Sequence, residues 1–193
     1  MADPVERLRQ DIVFTEELRG RSLTFHSTWG LFNPRHVDPG SRLLIGQLAV
    51  APDDVSIDLG CGYGPVGLTL ACLCPGGQVH LVDKDFVAVE YARANARRNG
   101  LTNCHAYLSN GFSHVPDIPF DHVVSNLPAK VGNELLTLIL HDARCHLKPG
   151  GSLWVVTIAG LKEYVKRSFR QIFGNYEKVK QGRAHIVARA VRE

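Results

Sequence analysis

No stretch constrains the fold of this chain more than Val55 to Gly67, which reads VSIDLGCGYGPVG. Apolar residues alternate at Val55, Ile57 and Leu59, as in a buried strand. Gly60, Gly62 and Gly64 follow at alternate positions. A backbone without Cβ turns tightly there and lets a flat ligand lie against it. Pro65 has a fixed φ and no N–H, which marks the first turn of a helix.

At 193 residues the chain reads as one domain, long enough to bury a sizeable core. No apolar run is long enough to cross a bilayer. The segment Met1 to Gln10 is charged and lacks the apolar centre of a signal peptide, so the expected compartment is the cytoplasm. Cys61, Cys72, Cys74, Cys104 and Cys145 form no C-x-x-C pair. Neither a zinc site nor a disulfide framework is therefore expected, and most of them read as small buried apolar residues. The nine histidines show no metal spacing. Net charge is only +3, but from Leu161 onward nine cations (Lys162, Lys166, Arg167, Arg170, Lys178, Lys180, Arg183, Arg189, Arg192) stand against Glu163, Glu177 and Glu193. Such an excess is either a solvated face or a surface that meets phosphates.

In chain order, Ile12-Val13-Phe14 and Leu23-Thr24-Phe25 flank Arg19-Gly20-Arg21 and predict a β-hairpin on the edge of the domain. Asp38 and Pro39 predict the cap and first position of a helix. Strands are predicted at Val79–Asp83, Cys104–Leu108, Phe120–Ser125 and Ser152–Ile158. Helices are predicted from Asp85 to Asn99-Gly100, over Gly132–His146, and over Leu161–Phe173. Lys148-Pro149-Gly150-Gly151 reads as the stop between a helix and the next strand. Tyr176–Lys180 and His185–Val191 close the chain as a hairpin. Alternating strands and helices imply a doubly wound, mostly parallel sheet, with the last strand antiparallel. Ligands then lie at the carboxyl ends of the strands, at the switch in strand order.

The strand ends carry Asp58 with the glycine turn, Asp83, Ser109-Asn110-Gly111-Phe112, and Asn126-Leu127-Pro128-Ala129-Lys130. Asp83 follows Gly62 by about twenty residues, the place of a ribose-binding carboxylate in nucleotide folds. It could equally cap a helix, a role for which Asp85 competes. Asn110 could read an adenine amine beside Gly111, or the pair could be a plain turn. Gly62 to Gly67 also fits the dinucleotide fingerprint G-x-G-x-x-G. Two features oppose a pyrophosphate: Pro65 removes a donor at the helix start, and Asp58 adds negative charge. A sulfonium ligand reverses both objections, so the expected cofactor is S-adenosylmethionine.

On these residues the chain resembles a class I methyltransferase, carried by Asp58-Leu59-Gly60-Cys61-Gly62-Tyr63-Gly64. More narrowly it resembles the methyltransferase small-domain family, which includes the guanine-N2 methyltransferases of ribosomal RNA. The likeness extends over the Trp29-Gly30-Leu31-Phe32 loop, Asp38 to Ser41, Val82-Asp83-Lys84-Asp85, Ser125 to Gly132, Leu147 to Gly151 and the basic C-terminal segment. It implies a Rossmann-like fold of seven strands, with residues 1–30 as a hairpin extension and 31–193 as the catalytic core. It implies that Asp58, Gly60, Cys61, Gly62 and Gly64 border the methionine part of the cofactor, Asp83 and Lys84 the ribose, and Asn110 and Gly111 the adenine.

The family's reactive motif is Asn-Pro-Pro followed by an aromatic or apolar residue; here it reads Asn126-Leu127-Pro128-Ala129. By the resemblance, the Asn126 side-chain oxygen and the Leu127 carbonyl would accept hydrogen bonds from a target amine. Pro128 would stiffen the loop and hold Leu127 extended. With alanine at 129, stacking against a base would come from Phe32, Trp29 or Phe112, and Lys130 would meet a phosphate. The implied activity is N-methylation of a guanine amine in ribosomal RNA, held through the basic C-terminal surface. A small-molecule or protein-amide methyltransferase, and an RNA-binding module without turnover, are the alternatives.

Overall fold

The protein is described by a computed structural model over residues 3–129 and 131–193. Among these residues the elements run α1 (Pro4–Leu8), β1 (Ile12–Leu18), β2 (Arg21–Ser27), α2 (Pro39–Ile45), β3 (Ser56–Leu59), α3 (Pro65–Leu73), β4 (Val79–Asp83), α4 (Phe86–Arg98), β5 (Cys104–Leu108), β6 (Phe120–Asn126), α5 (Asn133–His146), β7 (Leu147–Ile158), α6 (Lys162–Phe173), β8 (Glu177–Gln181) and β9 (His185–Val191). A single 3-10 turn, Ala159–Leu161, precedes α6.

The main sheet has the order β5-β4-β3-β6-β7-β9-β8. The pairs β3–β4, β4–β5, β3–β6 and β6–β7 are parallel, and β9 runs antiparallel to both its neighbours. The chain enters at β3, steps outward to β5, then returns to the other side of β3 as β6. The strand order therefore switches between β3 and β6, and a crevice opens above their carboxyl ends.

Side chains alternate across the sheet and divide the core in two. One face, with Leu81, Val124 and Trp154, packs beneath α2, α3, α4 and the hairpin. The other, with Ile57, Phe120 and Val155, packs beneath α5 and α6. Asp58 points to the first face although its neighbours Ile57 and Leu59 point to the second.

The β1–β2 hairpin forms its own two-stranded sheet. Leu18, Leu23 and Phe25 bury against the first core, and Phe14, Phe25 and Tyr63 pack with ring centroids 5.7–5.9 Å apart. Asn95 on α4 and Asn99, the residue that caps its C-terminus, lie one helical turn apart and grip the free edge of β2. Asn95 accepts from His26 N (2.9 Å) and donates to His26 O (2.8 Å); Asn99 accepts from Thr24 N (2.9 Å) and donates to Thr24 O (2.8 Å). These amides satisfy an edge that would otherwise present unpaired backbone groups.

The structure departs from the predicted elements at Lys148-Pro149-Gly150-Gly151. This segment is the start of β7, which begins at Leu147. Leu147 pairs with Phe120 across a bulge, and Gly150 N donates to Arg192 O at 2.7 Å, so the glycines continue a ladder. A Cβ on Gly151 would lie 2.9–3.1 Å from the carbonyls of Lys148, Phe120 and Asp121, which is why glycine stands there. The cysteines are less uniformly buried than expected: Cys61 and Cys74 are buried, Cys72 and Cys104 half-buried, Cys145 exposed, and all five are free. No described helix is long and apolar enough to cross a membrane.

Candidate active site

The glycine turn divides its glycines between two tasks. Gly60 (φ +72°) and Gly62 (φ +56°) face open space, with nothing within 4 Å of an added Cβ. Gly64 and Gly67 serve packing instead. A Cβ at Gly64 would fall 2.2 Å from Leu68 Cδ1, and one at Gly67 2.6 Å from Leu81. The bare side of the turn thus lies above the sheet, and its tight side seats α3 on β4 and α4.

Beneath the turn Asp58 is buried and accepts from Gly67 N at 2.8 Å. Burial lifts its carboxyl from the ordinary 3.8 to about 7; the nearby charge of Asp83 adds to this and the Gly67 bond opposes it. Between about pH 4 and 7 the folded chain keeps a proton that the unfolded chain has lost. The contribution therefore favours the fold at low pH and is lost as pH rises through about 7. Asp58→Asn is expected to flatten the melting temperature against pH over this window, relative to the parent, in calorimetric scans. A variant with the parent's slope would assign the proton elsewhere.

Asp83 accepts from Gly62 N (3.0 Å) with Oδ2 and from Asp85 N (3.0 Å) with Oδ1. Asp85 caps α4 through Val87 N (2.8 Å), so the competition for the cap is resolved and Asp83 is left at the crevice. Lys84 is exposed beside it. Asn110 is exposed, with Gly111 at φ +58° after it. Cys61 buries its thiol in the first core, where desolvation pushes its pKa well up, so only its main chain can face a ligand.

The donor set fits a cationic cofactor and not a pyrophosphate. Pro65 has no N–H, Gly67 N is engaged by Asp58, and Gly62 N is engaged by Asp83. The start of α3 therefore offers few free donors to phosphate, while Asp83 and, once it ionises, Asp58 lie at the turn.

Asn126 ends β6 next to this turn, paired in register with Val156. Its Nδ2 donates to Asp38 Oδ2 (3.1 Å) and to Ser41 Oγ (3.0 Å). A carboxylate only accepts, so the nitrogen must face Asp38 and Oδ1 is turned the other way. Asp38 also accepts from Ser41 N (3.0 Å) as the cap of α2. The sequence reading found Asp38 only as a cap and missed both residues as supports of Asn126. The signal lies in contacts across 85 and 88 residues, which no local pattern carries.

Leu127 explains its own departure from the family motif. Its side chain is 3 % exposed in the second core, and its N–H donates to Val156 O at 2.9 Å, a bond that proline could not make. Pro128 and Ala129 are exposed. Lys130 lies outside the described residues. Of the three expected stacking rings, one is committed elsewhere and two are exposed. Phe112 is buried and stacks on His146 (4.3 Å between centroids), whereas Trp29 is 43% exposed, with the Arg35 guanidinium over its ring at 4.8 Å. Phe32 is 68 % exposed. Its loop is tied to the glycine turn by Tyr63, whose hydroxyl lies 3.1 Å from Asn33 O and 3.0 Å from His36 O.

The family model for the methyltransferase small domain matches residues 22–189. The chain belongs to the methyltransferase small-domain family. That family's cofactor is S-adenosylmethionine and its reaction methyl transfer, and the seven-stranded fold with its antiparallel last strand is that of class I methyltransferases. The chain is 39% identical over 141 residues to the uncharacterized protein YbxB of Bacillus subtilis, spanning 72% of this chain and 70% of that one. It is 33% identical over 181 residues to the ribosomal RNA large subunit methyltransferase G of Streptomyces avermitilis, covering 91% of this chain and 47% of the relative. Among solved structures, the T. thermophilus 16S rRNA N2 guanine methyltransferase RsmC, in complex with AdoMet and guanosine, superposes with a TM-score of 0.85 at 27% identity. The match covers 94% of this chain and 50% of that one. The chain thus spans about half the length of these two ribosomal RNA methyltransferases.

Proposed function

We propose that this chain transfers a methyl group from S-adenosylmethionine to the exocyclic amino nitrogen of a guanine in ribosomal RNA. The observation that carries the reading is the Asn126 amide, whose hydrogens are both taken by Asp38 and Ser41 so that Oδ1 is left as an acceptor. The amine of a base is a weak nucleophile because its lone pair is delocalised into the ring. Asn126 Oδ1 and the Leu127 carbonyl would accept its two N–H groups, localise the pair and aim it. Bound at the glycine turn, the cofactor supplies an electrophilic methyl carbon. The amine would bond to that carbon as the carbon–sulfur bond breaks and leaves its electron pair on sulfur, and it would release one proton, which an amide cannot take, so water receives it. Asp83 would hold the ribose, Lys84 flank it, Asn110 and Gly111 border the adenine, and Asp58 with Gly60, Cys61, Gly62 and Gly64 underlie the methionine end. Phe32, the more exposed of the two open rings, would stack on the target base, which would leave its own stack to reach the crevice. The likeness to RsmC supports guanine as the base.

RNA would be held by the basic C-terminal surface. Among its nine cations, Arg192 donates to the Cys145 and Leu147 carbonyls, Arg189 lies over Trp154 near Glu177, and Arg167 lies over Tyr164. Lys162 and Lys166 are half-buried, and Arg167, Arg170, Lys178, Lys180 and Arg183 are exposed. His185 pairs with Ile158 at the carboxyl end of β7, which brings the Lys180–Arg183 turn to the crevice rim. RNA affinity should fall steeply with salt, and replacing Lys180 and Arg183 with serine should reduce the log–log slope by about 1.4. A flat salt profile would favour a small substrate. The deciding assay is labelled-methyl transfer to ribosomal RNA followed by nucleoside analysis. N2-methylguanosine is the expected product, and transfer only to protein or to small molecules would overturn the reading.

A further inference from the structure

We infer that Asp38 is a positioning residue for methyl transfer: by accepting from Asn126 Nδ2 it fixes which end of that amide meets the substrate. The inference rests on the reading of Asn126 above and deepens it. Three contacts meet at one place. Asp38 Oδ2 accepts from Ser41 N at 3.0 Å and from Asn126 Nδ2 at 3.1 Å, and Ser41 Oγ accepts from the same Nδ2 at 3.0 Å. Asp38 and Ser41 are both buried, at 9% and 7% exposure. An added Cβ at Gly40 would fall 2.8 Å from Asp38 Oδ2 and 2.9 Å from His185 Cδ2, so the carboxylate is boxed in.

The two partners differ in what they can select. Ser41 has a hydroxyl, which donates or accepts, so it tolerates either orientation of the Asn126 amide. Asp38 has only acceptors on that side and tolerates one. Without Asp38 the amide could turn over, give its oxygen to Ser41 Oγ–H and present its NH2 to a substrate amine. A donor would then face a donor, and the lone pair would lose its guide. One residue thus caps α2 and sets the polarity of the reactive loop 88 residues away.

Two substitutions separate these roles. Asp38→Ser keeps a good helix cap but is too short to reach Asn126. Asp38→Asn keeps an oxygen able to face both Ser41 N and Asn126 Nδ2. Asp38→Ser is expected to lower kcat by roughly 10- to 100-fold with cofactor affinity within about twofold, as for a misaimed group. Asp38→Asn is expected to stay within about threefold of the parent. The Asn126 side-chain amide pair in a 15N-correlated NMR spectrum, assigned by its loss in Asn126→Ala, should keep its shift in Asp38→Asn and move in Asp38→Ser. Parent-like kcat in Asp38→Ser, or equal losses in both variants, would overturn the inference. If Asp38→Ser does not fold, Asp38→Gly replaces it, since glycine also serves at a helix cap and also removes the carboxylate, with the same fall in kcat and a moved Asn126 resonance expected and an unmoved one contrary. If the parent methylates no RNA, the proposed substrate fails, and the NMR comparison by itself decides whether Asp38 orients Asn126.

Discussion

Replacing Asn126 with alanine is expected to lower kcat on RNA by about 10²- to 10³-fold, while cofactor affinity changes by less than about twofold. The magnitude is that of removing one preorganised group from a site where charge shifts in the transition state. The separation of effects follows from position. Asn126 ends β6, whereas the glycine turn follows β3 and Asp83 ends β4, and its side-chain partners are Asp38, the cap of α2, and Ser41 on α2. Calorimetric titration with S-adenosylmethionine and single-turnover methyl transfer measure the two quantities separately. Equal losses in both would make Asn126 part of the cofactor site, and no loss in either would remove it from the chemistry.

The largest stability effect is expected from Asn95→Ala. Asn95 is fully buried, and its amide makes three bonds: from His26 N, to His26 O and to Tyr63 O (3.0 Å). Alanine leaves all three backbone groups without that partner, at about 1–3 kcal/mol each where water cannot replace it. A total loss of about 4 kcal/mol would lower Tm by roughly 8–16 °C in a chain of this size. Because Tyr63 also ties the Phe32 loop to the turn, cofactor affinity should weaken in the same variant. Asn99→Ala, at a half-buried site, should cost less. Thermal unfolding of both variants tests the ranking; equal or reversed losses would show that the hairpin is held chiefly by its apolar face.

Much of the architecture was legible because the decisive signals are local. Pro65 marks the start of α3, Asp38 and Asp85 mark caps, and Val79–Asp83 and His185–Val191 are strands with the bounds read from the sequence. Lys148 to Gly151 misled because proline and glycines usually punctuate chains. Here they serve a ladder in which Phe120 and Asp121 press against Gly151.

In the candidate site, the residues at strand ends were readable, but their partners were not. Phe112 looked like a stacking ring until His146, 34 positions later, was found to cover it.

By itself the sequence determined the order of elements, the glycine turn and the set of polar strand ends, because each depends on neighbours within about one turn of chain. Only the tertiary structure decided which way the Asn126 amide faces, why leucine is tolerated at 127, and that Phe112 is buried while Phe32 is exposed. Those outcomes depend on atoms from distant segments competing for the same donors and the same buried volume, and that competition exists only once the chain is packed.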